Sequence, residues 1–216
     1  FMLMGWIGEP NSNEKYDYAK RYNAGDKWKC MSARDQFVLK FHWTDGEMTE
    51  SDDSRVALWG TSKDGYHMGT APLDQLHYGD NGYCAVKFTN WALDEDGNID
   101  EAASPAATNQ IGTDCPMIRL AEIYLSAAEA ILNGVGSRED ALAYVNYIRE
   151  RAGVEKWNSS DLTASSLRDE RCRELYTECT RRSDLIRYNQ WISGYTWNWK
   201  NQIPTGADFL PNFNLY

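Results

Sequence analysis

The densest run of chemistry-bearing side chains lies between Arg168 and Arg187, where acidic residues alternate with arginines: Asp169, Glu170, Glu174, Glu178 and Asp184 among Arg168, Arg171, Arg173, Arg181, Arg182 and Arg187. Paired carboxylates beside arginines can serve as general acid and base, and two of them astride a sugar linkage would make a glycoside hydrolase. Their spacing points elsewhere. Asp169 with Arg173 and Glu178 with Arg182 stand four apart with the acid first, and Asp184 with Arg187 stands three apart. These are the offsets at which neighbours on one helix face pair, so the run reads as a cohesive ion-pair network, which also perturbs charges without doing chemistry. A second acidic stretch, Asp94-Glu95-Asp96-Gly97-Asn98-Ile99-Asp100-Glu101, offers oxygen donors of the kind calcium takes. Its Gly follows the wrong ligand and no Glu closes the loop, so an exposed Asp-Gly turn is expected. Phosphate-binding Gly-rich loops, a Gly-x-Ser-x-Gly elbow and His-based metal motifs are absent from the sequence, and no cofactor and no metal are expected.

The elements that must position these groups are legible between Met117 and Tyr188. Pro116 suits the first position of a helix that closes before Gly134 and Gly136, with Leu120, Tyr124, Ala127, Ala128 and Ile131 as its apolar stripe. Ser137-x-x-Asp140 is a near capping box for a second helix, on which Ala141, Val145, Ile148 and Ala152 share a face before Gly153 stops it. The pair makes an αα-hairpin of tetratricopeptide length and layout. A third helix carries the Arg/Glu run into a bend, with Cys172 and Cys179 both toward the core.

Several of these residues carry a family likeness. Arg119-Leu120-Ala121-Glu122 through Ala128-Glu129-Ala130, Asn146 with Arg149 and Arg151-Ala152-Gly153, and Glu170-Arg171 through Glu174-Leu175, Glu178, Arg181, Asp184-Leu185 and Arg187 resemble the C-terminal half of the SusD/RagB family, surface glycan-binding lipoproteins of Bacteroidetes. Cys179 departs from the pattern, since the family usually has Gly after that Glu. The resemblance implies a mainly α fold of tetratricopeptide-like hairpins, with a loop-rich region carrying short β-hairpins. Residues 1–114 would form that loop-rich, aromatic part and residues 115–216 the helical region, both belonging to one larger domain. It also implies a C-terminal fragment of a longer chain, lacking its last residues, its secretion signal and its lipidated cysteine.

The first part is rich in Gly, Asp, Asn and aromatics. Gln36–Phe41 and Tyr83–Phe88 read as short strands, and Ser51 to Trp59 as one amphipathic helix capped near Asp52. The opening FMLMGWIG is too short to span a membrane. A net charge of −10 argues against nucleic acid, because phosphate contacts need clustered Lys and Arg. The five cysteines lack metal-ligand spacing and read as buried free thiols.

Nine tryptophans stand out, because sugar C–H faces stack on flat rings while hydroxyls bond to polar neighbours. Most such rings fill cores, and Trp91, Trp157 and Trp191 adjoin predicted elements. Trp6, between Gly5 and Gly8, and Trp28 are the carbohydrate-binding candidates, since the resemblance implies an aromatic platform on loops ahead of the C-terminal repeat. It further implies a non-catalytic receptor on the outer-membrane surface, held there only through a lipidated N-terminus absent from this chain, that passes oligosaccharide to a SusC-like TonB-dependent barrel transporter. The competing classes are a glycoside hydrolase and a helical-repeat peptide adaptor.

Overall fold

The computed structural model describes residues 23, 37, 39–41, 53–55, 87–105, 114, 116–193, 203 and 206–208. The chain divides into two compact units. One comprises Phe1–Val38, Thr44–Met48 and Leu58–Asp114, the other Leu39–Trp43, Thr49–Ala57 and Cys115–Tyr216. The described structure is mainly helical.

In the first unit the described structure centres on a hairpin of β1 (Ala92–Leu93) and β2 (Ile99–Asp100), antiparallel with Ala92 opposite Asp100 and Leu93 opposite Ile99. The expected Asp-Gly turn closes it. Asp94 Oδ1 accepts from the backbone N–H groups of Asp96 at 3.0 Å and Asn98 at 2.8 Å, and Gly97 takes a φ of 83°. The strand expected over 83–88 is not seen where it can be checked, since Lys87 and Phe88 are irregular and residues 83–86 lie outside the described set.

The second unit holds four helices: α1 (Leu120–Leu132), α2 (Arg138–Arg151), α3 (Ala164–Leu175) and α4 (Arg181–Arg187). Helix α1 opens at Leu120 instead of Pro116. Arg119 keeps an extended backbone while its guanidinium reaches Glu174 of α3, so the preceding residues stay outside the helix. Its buried stripe is Ala121, Leu125 and Ala128, one position round from the expected one; Leu120 is 63% exposed. Helix α2 begins as anticipated, with Ser137 Oγ accepting from the Asp140 N–H at 3.1 Å. Gly136 makes the tight reversal before it, at φ 94°, where an added Cβ would meet the Ile131 side chain at 3.1 Å. Ala141, Val145, Ile148 and Ala152 are all buried, and Gly153 follows at φ 73°.

The core gathers these faces with Leu162, Leu167 and Leu175, and Trp157 packs at its edge. Helix α3 is capped reciprocally by Thr163 and Ser166. It stops at Leu175. Thr177 and Cys179, at φ 65° and 61°, then turn the chain into α4. Cys179 is therefore exposed, contrary to the expectation of a helical core thiol, while Cys172 is buried. The left-handed φ at Cys179 gives the reason a Gly suits that position.

Two shorter segments complete the unit. Leu39–Phe41 is a 3-10 turn, not part of a strand, because the Lys40 carbonyl accepts from Arg173 Nη1 at 2.6 Å and Phe41 is buried. Within the helix expected over Ser51–Trp59, Ser54–Arg55 form a short 3-10 turn. Asp53 Oδ1 caps it by accepting from the Arg55 N–H at 3.1 Å; the flanking residues lie outside the described set.

Candidate functional site

The acidic run on α3 and α4 points inward. Glu170 is fully buried and accepts from Arg55 Nη1 at 2.9 Å, Arg149 Nη1 at 2.9 Å and Arg173 Nη2 at 2.6 Å. One turn on, Glu174 receives Arg119 Nη1 at 2.6 Å, Arg151 Nη2 at 2.6 Å and Arg55 Nη1 at 3.2 Å. Arg119 also donates from Nε to Glu178 at 2.6 Å, and Asp184 pairs with Arg171 at 3.0 Å and Arg187 at 2.5 Å. Glu129 of α1 joins that last group through Arg187. Arg55 is held in turn by Asp53, at 2.7 and 2.8 Å, and Arg149 lies over the Trp157 ring at 4.7 Å.

The network is cohesive, as its composition suggested, but its pairs differ from those expected. Asp184 does bond Arg187. Asp169 takes Lys40 at 2.7 Å and Arg168 at 3.2 Å in place of Arg173. Glu178 takes Arg119, and Arg182 lies 5.2 Å from the Trp191 ring centroid. Arginines long enough to bridge helices find partners across the core before they find them along one helix.

Electrostatics fit this role. Burial pushes the Glu170 carboxyl up, yet Arg55, Arg173 and Arg149 outweigh it and bring the group down to about 2. Burial also opposes the Glu174 charge, and Arg151 and Arg119 again hold that carboxyl below its ordinary value. A general acid needs the opposite shift, so Glu170 and Glu174 are fixed anions that hold arginines.

A second feature lies where the start of α1 meets the end of α2, which also shows that the two helices run antiparallel. A cleft of about 320 Å³ is lined by Arg119, Leu120, Ala121, Tyr124, Tyr147, Ile148 and Arg151. Tyr124 stacks on Tyr144, with ring centroids 5.3 Å apart and planes 9° apart, and on Tyr147 at 5.8 Å and 24°. Sequence reasoning passed over these rings, although Tyr144, Tyr147 and Arg151 at offsets of three and four already mark one face of α2. Trp6 and Trp28, the rings singled out for sugar, lie outside the described residues, as do Tyr195, Trp197 and Trp199.

Comparison with known sequences decides the affiliation, since a model of the SusD family matches residues 8–207, most of the chain. The chain belongs to the SusD family. Among SusD relatives, the starch-binding protein SusD of Bacteroides thetaiotaomicron is 39% identical over 105 residues, covering 48% of this chain and 18% of that protein. The SusD-like protein P25 of Formosa agariphila is 41% identical over 78 residues, covering 33% of this chain and 15% of that one. The chain thus matches less than a fifth of the length of either relative. Among the described residues of this SusD-family chain, no helix is long and apolar enough to cross a membrane, and no group of three or more His, Cys, Asp or Glu side chains could hold a metal ion.

Proposed function

We propose that this chain is part of a non-catalytic glycan-binding protein of the outer-membrane surface that passes oligosaccharide to a TonB-dependent barrel transporter. Membership of the SusD family carries the proposal, together with a 39% identical relative named as starch-binding. The ionisation of the α3 carboxylates supports the absence of catalysis. Glycoside hydrolysis requires two carboxyl groups roughly 5–9.5 Å apart astride an open cleft, one of them able to carry a proton. Glu170 and Glu174 are enclosed by arginines and held ionised. Helices α1 to α4 then act as scaffold, and loop-borne rings, Trp6 and Trp28 foremost, supply stacking surface for sugar. Attachment to the membrane is assigned to a lipidated N-terminus outside this chain.

Native affinity electrophoresis against a polysaccharide panel, paired with a reducing-end assay, tests both parts. Retarded migration without released reducing ends is expected, and release of reducing ends overturns the assignment. In the gel that retards the wild type, Trp6→Ala and Trp28→Ala are each expected to migrate more freely; unchanged migration removes that ring from the site.

A further inference from the structure

We propose that the cleft between the start of α1 and the end of α2 is a glycan contact built on Tyr147 and Arg151, separate from Trp6 and Trp28; this deepens the glycan-binding assignment and rests on it. Tyr147 is 60% exposed and has one face against Tyr124. Tyr124 is itself backed by Tyr144, so the outer ring is braced by two others and loses little freedom on binding. Four residues on, Arg151 donates from Nη2 to both Glu174 carboxylate oxygens, at 2.7 and 2.6 Å, and its side chain stays 58% exposed. Its Nε and Nη1 donors have no partner among the described residues. A flat apolar ring beside fixed, unspent N–H donors suits a pyranose, whose C–H face lies on the ring while its hydroxyls accept from the guanidinium.

The same donors argue against the alternatives. An apolar helix laid over the cleft would bury Nε and Nη1 with no acceptor. An anionic ligand would find the Arg151 charge already offset by Glu174. A neutral polyol meets neither objection, and the 320 Å³ cleft sits at the lower end of the ~300–1,000 Å³ that ligand sites occupy. Leu120, 63% exposed, adds an apolar wall.

The test compares wild type, Tyr147→Phe and Tyr147→Ala in native gels containing amylopectin, xylan or mannan, with melting temperatures measured alongside. In whichever gel retards the wild type, Tyr147→Phe should be retarded equally and Tyr147→Ala should bind at least about fivefold more weakly. Should Tyr147→Ala fold poorly, Arg151→Gln takes its place with the same loss expected. Unaltered retardation of a folded Tyr147→Ala or Arg151→Gln protein overturns this contact while leaving the glycan-binding assignment standing. Failure of every gel to retard the wild type removes both.

Discussion

Replacing Glu170 by Ala would delete the anion shared by Arg55, Arg149 and Arg173 and leave three guanidinium groups facing one another in a closed space. Two routes give the cost. The carboxyl sits near 2 when folded against an ordinary 4.5, and at ~1.4 kcal/mol per pKa unit that differential amounts to roughly 3 kcal/mol at neutral pH. Removing one partner from a buried ion pair costs about 3–5 kcal/mol in general. The two agree, and against a total stability of about 5–15 kcal/mol the loss is severe. For a chain of this length it corresponds to a fall in Tm of roughly 6–15 °C, readable by far-UV circular dichroism. Glu170→Gln, which keeps the shape and one acceptor oxygen, should fall between wild type and Glu170→Ala. A Glu170→Ala protein that melts within about 2 °C of wild type and has lost glycan binding would refute the assignment of this carboxylate to cohesion.

Acid should have a related effect. Glu170, Glu174 and Asp169 all have folded pKa values below their ordinary ones, so their contribution is complete above about pH 4.5 and disappears as the pH falls toward 2. Urea midpoints at pH 7, 4.5 and 2.5 should therefore drop mainly between the last two, and a flat profile would contradict the network. Cys179→Gly relieves a left-handed φ of 61° and should stabilise by roughly 0.5–1 kcal/mol, seen as a higher urea midpoint; a lower one would argue against that backbone geometry. Asp184→Ala strands Arg171 and Arg187 and should destabilise by about 3 kcal/mol while the folded protein still binds glycan, as paired melting and gel-retardation measurements would show.

Where neighbours in sequence decide the outcome, the structure was legible in advance. The Ser137 cap, the Ala141-Val145-Ile148-Ala152 face and the Gly153 stop depend on side chains within one or two turns, and all appear. Helix α1 was misjudged by one position because Tyr124 is drawn to the rings of α2, leaving Ala121, Leu125 and Ala128 to face the core. The aromatic segment ending at Phe41 has strand-like composition, yet its backbone is bent by a bond to Arg173, a partner more than a hundred residues away that no local pattern announces. The same distance hid the ion pairs, since Lys40 with Asp169 and Arg55 with Glu170 and Glu174 join remote stretches of chain. Of the candidate site, the Tyr147 and Arg151 spacing was visible but belonged to no known motif, and its meaning came only when Tyr124 of the adjoining helix was placed beside it.

Glu174 grips α1 through Arg119, α2 through Arg151 and the 53–55 turn through Arg55 at once. Such a rivet concentrates the cost of sequence drift on a few interior positions. A change at Glu174 cannot be rescued by altering any single partner, whereas exposed positions on α1 and α2 are released from holding the hairpin together. Descendants of this chain could therefore exchange one sugar preference for another by rewriting the outer faces of these helices, without renegotiating the fold.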